Sequence, residues 1–206
     1  KNMHPKTRYN VKVAQKHGVS VVEDNSDQAF EKYIELTNET IKRQKFYAHD
    51  ERYHRLMWQT LRPHNSSLIT NNLSAHLFLA KYRPPKSGVR PLTLVVWIVF
   101  VFKDTIYYPY GASSNKHRET MASNLMMWEV IKWAKKKGLK KFDMWGALGP
   151  NPRESNPWFG FHRFKQGYGG KLVEYVGSFD LVIKPFWYEL YKIADKIRWT
   201  LLKIFK

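Results

Sequence analysis

The segment Leu92–Phe102 limits the fold of this chain more than any other, because Leu-Thr-Leu-Val-Val-Trp-Ile-Val-Phe-Val-Phe has few places to go. It is about half of the roughly 20 apolar residues that a membrane-spanning helix needs. Its β-branched and aromatic makeup favours a strand, and its lack of polar alternation means that both faces of that strand are covered. Such a strand lies inside a sheet that carries helices on either side, so the rest of the chain must supply strand neighbours and two sets of covering helices.

The neighbours can be read directly. Residues 76–82 and 105–110 read as strands, joined to the central one through the turn-rich stretch 83–91 and the tight Lys103-Asp104 pair, which gives an antiparallel meander. Upstream, residues 6–18 have helical character and close on Gly18 ahead of a short strand at 19–22. Ser26 then caps a helix that runs to about Gln44 with Phe30, Tyr33, Ile34, Thr37 and Ile41 on one face. A further helical piece covers 51–61, and the Pro-, Asn- and Ser-rich stretch 62–72 is a loop. Downstream, 125–137 reads as a helix with Leu125, Met127, Trp128 and Ile131 inward, basic residues at its C-terminal end and Gly138 as its stop. Residues 141–145 and 172–176 read as strands, and Pro185 opens a final helix towards Lys206. The expected class is α/β (α+β), a mixed, mostly antiparallel sheet flanked by helices.

Charge narrows the partners. Lys and Arg number 35 against 17 acidic residues, and a net charge of +18 points to polyanions: RNA, nucleotides or an anionic membrane surface. With no cysteine, the chain has no disulfide scaffold, no thiol nucleophile and no thiolate zinc site; its eight histidines lack metal-ligand spacing, so no metal is expected. It starts at Lys1 with neither an initiator methionine nor a signal pattern, and reads as a piece of a longer cytoplasmic protein.

The order of elements is compatible with a GNAT acetyltransferase core. There a glycine-rich turn before a helix usually presents backbone amides to a pyrophosphate. The corresponding turn here, residues 111–123, has no glycine after Gly111, so an ordinary coenzyme A site is not expected, nor any other cofactor. A more specific resemblance rests on Lys6-Thr-Arg-Tyr-Asn10, Thr40-Ile-Lys-Arg-Gln-Lys-Phe-Tyr47, Tyr108-Pro-Tyr-Gly-Ala-Ser-Ser114, Trp128-Glu-Val-Ile-Lys-Trp-Ala134, Phe142-Asp143 with Gly146, and Arg163-Phe-Lys-Gln-Gly-Tyr-Gly-Gly170. In this order and spacing they resemble the Fem family of non-ribosomal peptidoglycan aminoacyltransferases, whose members usually pair two GNAT-like domains. The resemblance is to the second of these.

It implies a cytoplasmic enzyme, working at the inner face of the membrane when its acceptor is lipid-linked. Such an enzyme transfers an amino acid from aminoacyl-tRNA to the stem peptide of a UDP-linked or lipid-linked muramyl-pentapeptide. It also implies roles. Lys165 would stabilise the oxyanion, and Phe164 would line the acceptor end of the tRNA. Arg43 and Tyr47, four residues apart, would hold the precursor. Tyr108 and Tyr110, expected on one side of a strand, would supply a substrate contact, with Tyr110 preferred. Asp143 at a strand end and His162 beside the motif are placed to accept the amine's proton. Residues 1–22 would end the preceding, missing domain, 23–184 would form the GNAT-like domain, and 185–206 would be a basic amphipathic helix able to pack on protein or lie on an anionic membrane. Two alternatives are a non-catalytic RNA-binding module and an N-acyltransferase with another acyl donor.

Overall fold

The computed structural model describes residues 2–45, 48–63, 73–84 and 90–204. They form two compact units, Lys1–Leu172 and Val173–Lys206. The first is built on a five-stranded sheet in the order β1 (Ser20–Glu23), β2 (Ser74–Tyr82), β3 (Leu92–Phe102), β4 (Thr105–Ser113) and β5 (Lys141–Asp143). The first four run antiparallel, and β5 lies parallel to β4. The meander expected from the sequence is present, and β3 is central to it.

Helices cover both faces, as the non-alternating β3 requires. On one face Phe78, Val95, Trp97, Val99 and Ile106 pack with α1 (Pro5–Lys16) and α4 (Ala122–Lys136). On the other, Leu77, Leu79, Val96 and Ile98 pack with α2 (Asp27–Gln44) and α3 (Glu51–Leu61), where Trp58 stacks on Phe30 at 5.3 Å. Ser26 caps α2 by accepting from the Ala29 amide at 3.2 Å, as read from the sequence. A short helix, α5 (Phe159–Gln166), follows β5.

Two expectations are corrected. α4 starts at Ala122 rather than 125, because its N-cap is Met121 in the left-handed conformation (φ 53°), a residue that gives no capping signal in sequence. Its buried face centres on Met126, Met127, Val130 and Ala134, with Trp128 and Ile131 half-buried at the flanks. The strand expected at 172–176 does not form: among the described residues it finds no partner strand, and Tyr175 and Val176 are 84% and 88% exposed. β-Propensity without a neighbouring ladder leaves the backbone to water. The helix and strand expected within 1–22 form as part of the first unit, where β1 pairs with β2. The second unit carries α6 (Pro185–Ile204), and no helix among the described residues is long and apolar enough to cross a membrane.

Candidate functional site

α5 presents Lys165 inward. Its side chain is only 4% exposed, and its ammonium donates to the Gly146 carbonyl at 2.7 Å. The charge also lies over the Phe161 ring, 3.8 Å from its centroid, one helical turn back, and 5.7 Å from the centroid of Tyr108 on β4. Burial pushes its pKa down to about 8, against the opposing attraction of the Asp143 carboxylate. Lys165 is thus a desolvated ammonium held by one carbonyl and two rings.

The loop after β5 is fixed by the same helix. Asp143 accepts from the Trp145 amide at 2.7 Å, and Trp145 takes a left-handed conformation (φ 64°). Gly146 then meets Lys165, and the Leu148 amide donates to His162 Nδ1 at 3.2 Å. His162 is buried, and with Nδ1 accepting, its ring proton resides on Nε2, which has no hydrogen-bond partner. His162 thus engages the loop through its Nδ1. It latches α5 to the loop that Lys165 also grips.

The glycine-rich turn after Lys165 serves packing. His4 donates its amide to the Gly167 carbonyl at 2.9 Å, and a Cβ on Gly167 would run into the Thr7 hydroxyl of α1. Two cavities flank this region. One of about 230 Å³ lies beside Lys165's aromatic neighbours and is lined by Trp97, Tyr108, Gly111, Ser123 and Phe161. The other, about 540 Å³, opens between α1 and α5. The half-buried Phe164 lines both.

Tyr108 and Tyr110 do not share a face. β3 residue Ile98 pairs with Tyr110 and Phe100 with Tyr107, so Tyr108 and Pro109 together oppose Val99 in a β-bulge. The extra residue resets the alternation. Tyr108 stacks on Trp97 at 3.7 Å on the Lys165 side, while Tyr110 packs among the α2 and α3 residues and shares a 3.2 Å hydrogen bond with the Tyr53 hydroxyl. Burial raises the pKa of both phenols, for Tyr110 with a further push from Tyr53. Arg43 lies on Tyr110's side of the sheet, half-buried, donating to Ser113 Oγ at 3.3 Å and facing Glu39 at 3.7 Å. Tyr47 lies outside the described residues.

The sequence matches the model of the FemAB family over residues 1–83 and 84–196, nearly the whole chain. The chain belongs to the FemAB family. It is 34% identical over 97 residues to a lipid II:glycine glycyltransferase of Staphylococcus haemolyticus (strain JCSC1435), a match covering 47% of this chain and 22% of that protein. The match thus spans about a fifth of the length of the curated relative. Among solved structures, the crystal structure of FemX superposes with a TM-score of 0.76 at 20% identity, covering 92% of this chain and 59% of that one. A possible acetyltransferase from Clostridium difficile 630 reaches a TM-score of 0.51 at 7% identity over 80% of this chain and 98% of that one. These likenesses establish a GNAT-like fold for this FemAB-family chain.

Within this family member, the sequence reading picked out Lys165, Asp143, Phe164 and Tyr108, which the fold brings to one side of the sheet, and Arg43 and Tyr110, which it leaves on the other. It missed Phe161, one turn before Lys165, although an aromatic residue four positions from a buried cation is a readable signal. It also missed Gly146 as the acceptor, which only the fold brings near. A third omission is the cluster behind Tyr110, where the His54 and Tyr110 rings meet edge to face at 5.1 Å and His54 Nδ1 lies 3.1 Å from the Tyr33 hydroxyl. Burial, helped by His49, lowers the pKa of His54. These contacts come from α2, α3 and β4, and no sequence spacing joins them.

Proposed function

We propose that this chain is the acyl-transferring part of an enzyme that moves an amino acid from aminoacyl-tRNA to the stem peptide of a peptidoglycan precursor, building the interpeptide bridge. The observation that carries this is Lys165: a buried ammonium with a lowered pKa, whose ring neighbours Phe161 and Tyr108 line a cavity, is a group built to meet developing negative charge. The reaction needs just that. An amine of the stem peptide attacks the aminoacyl ester carbonyl, the tetrahedral oxyanion forms beside Lys165, and collapse expels the ribose hydroxyl of the tRNA as the amide bond closes. The ester is already activated, so no cofactor enters. Asp143, close enough to influence Lys165, takes the amine's proton, and Phe164 lines the acceptor end of the tRNA.

Arg43, Tyr47 and Tyr110 bind the precursor, with Tyr108 closing the wall near the reacting carbonyl. The staphylococcal relative is named for transferring glycine to lipid II, which favours a lipid-linked acceptor and work at the inner face of the membrane. α6 suits that location: Trp187, Leu190, Ile193, Ile197 and Leu201 fall on one arc, with Lys192 and Lys196 opposite. Residues 1–22 serve as the junction to a preceding GNAT-like domain of the same protein.

The test is transfer of labelled amino acid from a mixed pool of charged tRNAs to UDP-linked and lipid-linked muramyl-pentapeptide, with Lys165→Ala in parallel. The reading expects transfer in the unsubstituted protein and a loss of about 10²–10³-fold on substitution. Absence of transfer with RNA still bound would leave a binding module in its place.

A further inference from the structure

At the edge of the sheet away from β5, three side chains that the chemistry above does not use stand in a row. Ser74 and His76 are two residues apart on β2 and so share a face of it, and Glu23 ends the neighbouring β1. Ser74 Oγ lies 3.0 Å from His76 Nε2, and His76 Nδ1 lies 2.7 Å from a Glu23 carboxylate oxygen. The carboxylate is itself held. The Asn25 side-chain amide donates to it at 3.0 Å and the Trp133 indole of α4 at 2.8 Å, while the Leu77 amide fixes Asn25 by donating to its oxygen at 2.9 Å. Partial burial opposes the Glu23 charge, but the bonds from His76, Asn25 and Trp133 prevail and hold its pKa at about 2.

An ionised Glu23 only accepts hydrogen bonds, so neutral His76 carries its proton on Nδ1 and leaves the Nε2 lone pair to the Ser74 hydroxyl. The Trp133 ring packs against the imidazole, 5.0 Å from it between centroids. Fastening β1 to β2 needs only the carboxylate and its donors. The oriented imidazole adds a base aimed at a hydroxyl, which is how a serine nucleophile is activated. Ser74 is half-buried at the first residue of β2, where a ligand can reach it. We propose that Ser74, His76 and Glu23 form a second reactive site, in which Ser74 takes the acyl group of an activated carboxylic ester. Ser74 Oγ bonds to the carbonyl carbon and passes its proton to His76 Nε2; the bond to the leaving group breaks, and the leaving group departs with that proton. Water, deprotonated in turn by His76, then releases the carboxylic acid and restores Ser74. The three side chains supply a nucleophile and its base, so the ester must bring a good leaving group, a phenol or a thiol.

The test is labelling of the full chain with a fluorophosphonate, from whose phosphorus Ser74 Oγ displaces fluoride, with the modified residue located by peptide mass mapping. Release of p-nitrophenol from p-nitrophenyl acetate is followed alongside. Labelling at Ser74 is expected to run about 10²-fold faster in the folded chain than in the same chain unfolded in urea, and to slow about 10²-fold in His76→Gln and in Glu23→Gln. Ser74→Ala is expected to remove the label and most of the p-nitrophenol release. Equal rates at Ser74 in the folded and unfolded chain would overturn the proposal even where the substituted chains fail to fold. Modification confined to lysines, or p-nitrophenol release unchanged in Ser74→Ala, would overturn it as well.

Discussion

Lys165 is held at a cost that its environment makes measurable. In the folded chain its pKa is about 8, below the ordinary lysine value of 10.5, so the unfolded chain binds more protons between those two values. Stability due to this residue therefore rises as pH increases from about 8 to 10.5. Lys165→Met is expected to raise stability at pH 7 on the order of 2 kcal/mol, with the gain shrinking to near zero by about pH 10.5, read from urea unfolding at a series of pH values. Transfer should show the opposite dependence. Activity that needs the ammonium falls with an apparent pKa near 8, which a pH profile of kcat/KM would display as an alkaline limb absent from Lys165→Arg. Gly111 illustrates a different constraint. A Cβ there would enter the Tyr108 phenol, so Gly111→Ala is expected to destabilise by about 1–3 kcal/mol, and Tyr108→Phe, which removes the hydroxyl, to recover part of that loss.

α5 and the loop after β5 are joined by two bonds, Lys165 to Gly146 and Leu148 to His162. His162→Phe keeps the bulk and removes one of them, and is expected to cost about 1–3 kcal/mol through the unsatisfied Leu148 amide. Hydrogen exchange at that amide should quicken by more than at the neighbouring ones. This latch was beyond reach of the sequence, since a histidine beside a lysine motif looks the same whether it accepts a proton or an amide. The strands β2, β3 and β4 and helix α2 were legible, because hydrophobic runs, turn residues and Ser26 all agreed. α4 was legible as a helix but not at its start, because Met121 caps through backbone conformation alone. Strand periodicity placed Tyr108 and Tyr110 together, and a bulge, which depends on the partner strand as much as on its own residues, separated them. The last expected strand failed for the complementary reason, that a strand exists only as a pair.

At the scale of the whole chain, a net charge of +18 is spread over a folded unit ending at Leu172 and a second unit dominated by α6. The first unit contains the whole sheet and both sets of covering helices, so a chain cut after Leu172 is expected to keep its fold, shown by an unchanged pattern of slowly exchanging amides in β2 to β4. The same cut should abolish sedimentation with vesicles rich in anionic lipid if α6 carries that contact. The sheet between the two cores has a further consequence. Since the bulge sends Tyr108 to one core and Tyr110 to the other, the sheet separates changes on the two sides, and substitutions at the two tyrosines should add with little coupling energy. Two neighbouring, similar residues thus belong to separate compartments, and selection can alter what one compartment accepts while leaving the other unchanged.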